Sequence, residues 1–125
     1  MIFDDAIIHI THLRLRTYIG FNPEELEKKQ DVVIDVRIHY PAAQACSSDD
    51  ENEALDYKVI TKAIIEHVES GRFKLLEKLT ADVLEIAMRP TQVSRAEVTI
   101  EKPHALRFSD SVSVTLSASR AGDDP

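Results

Sequence analysis

Two long β-type runs near the amino terminus constrain this chain more than any other feature. Residues 6–19 read AIIHITHLRLRTYI. Ile8, Ile10, His12, Arg14 and Arg16 share one parity, and Ile7, His9, Leu13 and Leu15 fall less regularly on the other. A strand whose apolar parity changes midway calls for a β-bulge, and the pattern slips near Thr11-His12. Residues 31–40, DVVIDVRIHY, form a second strand that Pro41 helps to end. Between the two, Asn22-Pro23-Glu24-Glu25 reads as a turn or a short helical start with Pro at its first helical position. Together the runs predict a long antiparallel pair.

The middle of the chain is helical. Residues 42–53 are small and acidic and read as a surface loop. Asp56 is placed to cap a helix over 58–70, with Val59, Ala63, Ile64 and Val68 spaced for one face and Gly71 at its end. A second helix over 75–88 buries Leu76, Leu79, Val83, Ile86 and Ala87 and stops at Pro90. Residues 96–101 predict a third strand and 110–119 a fourth, with Val112, Val114 and Leu116 on one face and Ser111, Ser113, Thr115 and Ser117 on the other. The order ββααββ describes an α+β fold: a four-stranded antiparallel sheet with two helices on one face. A chain of 125 residues carries one domain, over 1–120, with 121–125 as a flexible tail. Long edge strands then need covering, either within a monomer or by subunits joined edge to edge in a ring.

Charge and motifs narrow the function. The net charge of -7 argues against a nucleic-acid binder but allows an anionic small molecule at a local cationic cluster. Cys46, the only cysteine, lies in a polar loop, which leaves no intramolecular disulfide and no paired-cysteine zinc site. No apolar run approaches membrane-spanning length and the first residues lack the basic region of a signal peptide, so the expectation is a cytoplasmic protein without a membrane partner. His9 and His12 have an H-x-x-H spacing, but a regular strand sends them to opposite faces, and His39, His67 and His104 would have to approach in space. G-x-S-x-G, Walker and G-x-G-x-x-G patterns are absent.

What remains is a scattered polar set at element ends: Glu25, Tyr57, Glu77, Lys102, His104 and Arg107. Glu77 sits among apolar neighbours in RFKLLEKLT, at the start of the second helix. A carboxylate there is either a solvated acid favoured by the helix dipole or an acceptor for a ligand rich in N–H donors. Lys102 before Pro103 and Tyr57 before the first helix have equally plain structural readings.

The order of these residues resembles the dihydroneopterin aldolase family. The resemblance runs from about Ile7 to Ser119 and rests on Ile19-Gly20 followed by Glu25, Leu55-Asp56-Tyr57, Arg72-Phe73 with Leu76-Glu77-Lys78, and Lys102-Pro103-His104-Ala105. LRLRTYIG over 13–20, HYPA over 39–42 and HALRFSDSVS over 104–113 look more like the family's epimerase branch, since aldolases usually carry a small residue, often Gly, in place of His104.

The resemblance implies a tunnelling fold in which subunits close a tetrameric β-barrel ring, two rings stack into a homo-octamer, and sites lie between subunits. It implies Glu77, with Leu76, as the pterin anchor, and Lys102, Glu25 and Tyr57 around the proton transfers; His104 and Arg107, with Arg14 and Arg16, are candidate phosphate contacts. The implied reaction is retro-aldol chemistry on a dihydropterin without cofactor or metal. Its outcome is inversion at the 2' carbon of dihydroneopterin triphosphate, or aldolase release of hydroxymethyl-dihydropterin. A non-catalytic pterin-binding assembly subunit is the reading from another class.

Overall fold

The computed structural model describes residues 1–120; the tail expected over 121–125 lies outside them. Strand β1 (Ala6–Ile19) runs antiparallel to β2 (Gln30–Tyr40), from Ala6 opposite Tyr40 to Thr17 opposite Gln30. The register shifts between Ile10 and Leu13, as the apolar pattern required. At the bulge His12 adopts φ 53° and donates its backbone N–H to Asp35 Oδ1 at 3.0 Å. The extra residue reverses the parity of the strand. Ile8 and Ile10 before it and Leu13, Leu15 and Ile19 after it therefore all pack into one core.

Helix α1 (Pro23–Glu27) links these strands, α2 (Ala43–Ser48) follows β2, and a short 3-10 turn spans Glu51–Glu53. The stretch 42–53, expected as a loop, is thus partly helical. Its small residues allow a short turn without burying an apolar face.

Helix α3 (Tyr57–Ser70) is capped by Asp56, whose carboxylate accepts from the N–H groups of Lys58 at 3.1 Å and Val59 at 3.3 Å. Its buried stripe is Ile60, Ile64 and Val68, spaced four apart. Val59, assigned above to that face, is 63% exposed. An i, i+4 row starting at Ile60 places three β-branched residues against the sheet, and Val59 falls about 100° round the helix from Ile60. Helix α4 (Leu76–Met88) buries Leu76, Leu79, Thr80, Val83, Leu84, Ile86 and Ala87.

The sheet has five strands, not four. Between the helices, Arg72–Phe73 forms β3, parallel to the end of β1 with Tyr18 opposite Arg72 and Ile19 opposite Phe73. Strands β4 (Arg95–Pro103) and β5 (Ser111–Ser119) complete a mixed sheet of order β3-β1-β2-β4-β5. Two residues carry no periodicity, so β3 leaves no trace in the sequence.

Both long helices lie on one face, α3 against β1 and α4 against β4 and β5. Ile34, Val36, Ile38, Ile64, Leu79, Val83, Val98 and Ile100 are completely buried between helices and sheet. Each such side chain contributes about 1.5–3 kcal/mol relative to exposure. The opposite face is polar, including His9, Arg14, Arg16, Arg37, and Thr99 hydrogen-bonded to Thr115 at 2.7 Å. Among the described residues, β3 covers β1 only at Tyr18 and Ile19, and no strand flanks the outer side of β5.

Candidate active site

The site is built from Glu25 outward. Asn22 and Glu25 form a capping box: Asn22 Oδ1 accepts from Glu25 N at 3.0 Å, and Glu25 Oε1 accepts from Asn22 N at 3.5 Å. The second carboxylate oxygen accepts from Lys102 Nζ at 2.7 Å and from Gln30 Nε2 at 3.3 Å. Gln30 Nε2 also donates to the carbonyl of Ile19, which ties the start of β2 to the end of β1.

Gly20 closes the cradle. Its φ of 120° lies where L side chains rarely go, its N–H donates to Phe73 O at 2.9 Å, and a Cβ built on it would fall within the Glu25 carboxylate. Only a bare Cα leaves room for the acid at this point.

Lys102 arrives at the cradle from β4. It shares a parity with the buried residues Val98 and Ile100, so its stem leaves the core side of the sheet and its ammonium emerges at the rim. A lysine at a strand end is usually solvated, but this side chain is 15% exposed and its partner Glu25 20%. The Lys102 hydrogen bond holds the Glu25 carboxyl below the usual carboxylate range against a partly opposing effect of burial, with further help from Gln30. The pair is therefore a carboxylate and a cation in a charge-assisted hydrogen bond.

Glu77 is the second residue of α4. It is exposed and makes no hydrogen bond or ion pair among the described residues, while Leu76 beneath it is buried. No side chain caps the helix at Leu75, so a free carboxylate adjoins a helix start with uncapped N–H groups. Such an edge offers acceptors and donors side by side. Tyr57 opens α3 and is 51% exposed, not packed under the helix.

Among the described residues, neither Tyr57 nor Glu77 is hydrogen-bonded to the Glu25–Lys102 pair. His104 has φ 62° and donates its N–H to Asp110 O at 3.1 Å, which closes the loop after β4. Arg107 lies on that loop with its guanidinium 5.4 Å from the ring centre of Phe108, which is itself exposed.

Sequence reasoning did not single out Gln30 or the cradle role of Gly20. The signal available was the Asn22-x-x-Glu25 capping pattern; Gln30 carries none. The separation of His9 and His12 is a second correction. The bulge turns both toward Asp35, with His9 Nε2 at 3.4 Å and His12 Nε2 at 3.9 Å from Oδ1. Even so, no group of three or more His, Cys, Asp or Glu able to hold a metal occurs among the described residues. His67 is engaged elsewhere, 2.8 Å from Asp82 Oδ2, and Lys78 Nζ lies 2.8 Å from the other oxygen of that acid. No helix among the described residues is long and apolar enough to cross a membrane.

Residues 8–117 match the family model of dihydroneopterin aldolase (FolB). The chain belongs to the dihydroneopterin aldolase family. Within it, the chain is 59% identical over 115 residues to the dihydroneopterin triphosphate 2'-epimerase of Escherichia coli strain K12, covering 92% of this chain and 96% of that one. It is 52% identical to the enzyme of the same name from Pseudomonas aeruginosa, with 92% and 94% covered. Identity to the E. coli K12 dihydroneopterin aldolase is 28% over 110 residues, with 88% and 90% covered. The crystal structure of E. coli dihydroneopterin aldolase in complex with neopterin superposes with a TM-score of 0.85 at 27% identity, covering 90% of this chain and 98% of that one. The family sheet is thus present with its helices on one face. The sequence lies nearer to proteins named epimerase than to this aldolase.

Proposed function

We propose that this chain is an isomerase that inverts the 2' carbon of 7,8-dihydroneopterin triphosphate to give dihydromonapterin triphosphate. The observation that carries the reading is the 2.7 Å contact of Lys102 with Glu25, held in a cradle with room only for glycine, in a chain 59% identical to an enzyme named for that reaction.

The chemistry is a retro-aldol cleavage followed by re-addition. A base takes the proton of the 2'-hydroxyl, the C1'–C2' bond breaks, and its electron pair moves into the N5=C6 imine of the dihydropterin. The heterocycle is its own electron sink, so the step calls for no Schiff-base lysine, cofactor or metal. The aldehyde turns over, the enamine attacks its other face, and the proton returns to the 2' oxygen. Glu77 accepts the pterin 2-amino and ring N–H donors, with Leu76 beneath. The Lys102 side chain stabilises charge and relays protons, Glu25 positions it, and Tyr57 completes the proton path. His104 and Arg107, on the loop after β4, are the candidate contacts for the phosphorylated tail.

Residues 1–120 act as one domain, and the catalytic unit is a ring of four subunits, two rings making an octamer. Support comes from the free outer sides of β1 and β5 and from the exposed apolar residues beside each site residue: Phe21 and Leu26 near Glu25, Val59 near Tyr57, Leu75 near Glu77. A neighbour covering those surfaces would bring Tyr57 and Glu77 of different subunits together.

Aldolase cleavage, releasing 6-hydroxymethyl-7,8-dihydropterin and glycolaldehyde, is the second reading. It uses the same pair and is favoured by the fold match to an aldolase structure containing neopterin. Incubation with dihydroneopterin triphosphate, oxidation and chromatography separate the two. Monapterin is the expected product; hydroxymethylpterin alone means aldolase, and unchanged substrate sinks both.

A further inference from the structure

The polar face of the sheet holds a depression that the retro-aldol chemistry does not use. It measures about 320 Å3 and is lined by Arg14, Arg16, Asp31, Val33, Pro103 and His104. We infer that this depression seats the triphosphate tail, with Arg14, Arg16 and His104 as the grip. The inference rests on the epimerase reading above and names the residues that would hold its substrate's anionic end.

Four observations place the tail there. First, the bulge at His12 is what turns Arg14 and Arg16 outward: they follow the parity change that sends Leu13 and Leu15 into the core. Two residues apart on one face of the strand, the Cα atoms of the two arginines lie about 7 Å apart, which lets two long cationic side chains converge on one polyanionic chain rather than on a single phosphate.

Second, the two arginines differ in their freedom. Arg16 is fixed, its Nη2 donating to Lys29 O at 3.1 Å and its Nε 3.4 Å from Asp31 Oδ1. Arg14 has no hydrogen bond or ion pair among the described residues. A held guanidinium and an unpaired one together leave donors for an anion, and Asp31 offsets only part of their charge.

Third, His104 enters the depression from a left-handed backbone that glycine would adopt more easily. The 104–110 loop closes on it through its N–H to Asp110 O.

Fourth, the depression adjoins the reacting groups along the chain. His104 follows Lys102 by two positions, about 6–7 Å of extended chain. The phosphates of the substrate begin two atoms beyond the carbon at which the C1'–C2' bond breaks. Arg107, on the exposed loop against Phe108, is an outer contact at most.

Retention is the chemical consequence. An aldehyde anchored through its phosphates stays to re-add, whereas an unanchored one escapes and leaves the aldolase product.

The test compares two substrates, dihydroneopterin triphosphate and dihydroneopterin, in Arg14→Gln and His104→Asn. Asn is chosen because it tolerates a left-handed backbone. The expected result is a fall of roughly 10- to 100-fold in the ratio of kcat/KM for triphosphate over dihydroneopterin, with aldolase product rising as a share of turnover. A ratio unchanged in both variants overturns the grip. Calorimetric titration with inorganic tripolyphosphate gives a readout independent of chemistry. The grip stands if the wild type binds and Arg14→Gln weakens binding at least about tenfold, and it falls if the wild type does not bind or the variant binds equally well. A wild type that binds tripolyphosphate but turns over neither substrate leaves the grip standing and refutes the epimerase reading.

Discussion

The Nζ of Lys102 lies 2.7 Å from Oε2 of Glu25 across 77 positions of sequence, where the end of β4 meets the connection between β1 and β2. Removing either member leaves the other polar group at a largely covered rim without its partner. Lys102→Met and Glu25→Gln are expected to lower kcat by about 10²- to 10⁴-fold, the range of a lost proton-transfer group, while circular dichroism stays native. A variant within threefold of wild type would remove the pair from the mechanism.

Gly20→Ala tests the cradle without touching an ionisable group. The added methyl would occupy the space of the Glu25 carboxylate and would sit on a backbone at φ 120°. The expected outcome is a loss of about 1–3 kcal/mol in urea unfolding together with a kcat deficit like that of Glu25→Gln. Stability lost with full activity retained would show that the acid can move without consequence.

Acid sensitivity follows from two carboxyls. At Asp82 burial acts to raise the pKa, but hydrogen bonds and charge from Lys78 and His67 outweigh it and the net shift is downward. Glu25 is lowered chiefly by Lys102. A folded pKa below the unfolded one gives stability that is complete above the unfolded value and is lost as pH falls through the folded one. The Asp82→Asn variant is therefore expected to be less stable than wild type at about pH 7, with the difference narrowing as pH falls below the ordinary carboxylate range, read by denaturant midpoints. A constant difference across that range would contradict the linkage.

Helix α4 seats a row of buried side chains on the sheet. Leu79→Ala, at a completely buried position, is expected to cost about 2–5 kcal/mol and to leave no substitute packing partner. Thermal unfolding checks it. A cost under about 1 kcal/mol would mean that the helix re-seats on the sheet.

Sharing of sites between subunits has its own signature. Glu77→Ala and Tyr57→Phe proteins, each inactive, are expected to regain activity when dissociated, mixed and reassociated, because some mixed interfaces carry both native residues. Mixtures that stay inactive while sedimenting as mixed oligomers would place both residues in one subunit's site.

The sequence by itself determined the long β1–β2 pair, its bulge, the proline start of α1, the cap of α3, the buried row of α4 and the alternation of β5. These depend on interactions a few residues apart or on periodicity, both written directly into the order of side chains. It also identified Glu25, Tyr57, Glu77 and Lys102 as a set through their order along a family pattern.

Tertiary structure alone decided the rest. Strand β3 exists because the α3–α4 connection passes the end of β1, and two residues cannot announce that. His9 and His12 meet Asp35 because a bulge adds one residue to the count. Lys102 is a partner of Glu25, not a solvated strand end, because β4 delivers it over the core to the spot that Gly20 leaves open. Such contacts depend on where the chain returns, and no local pattern encodes them.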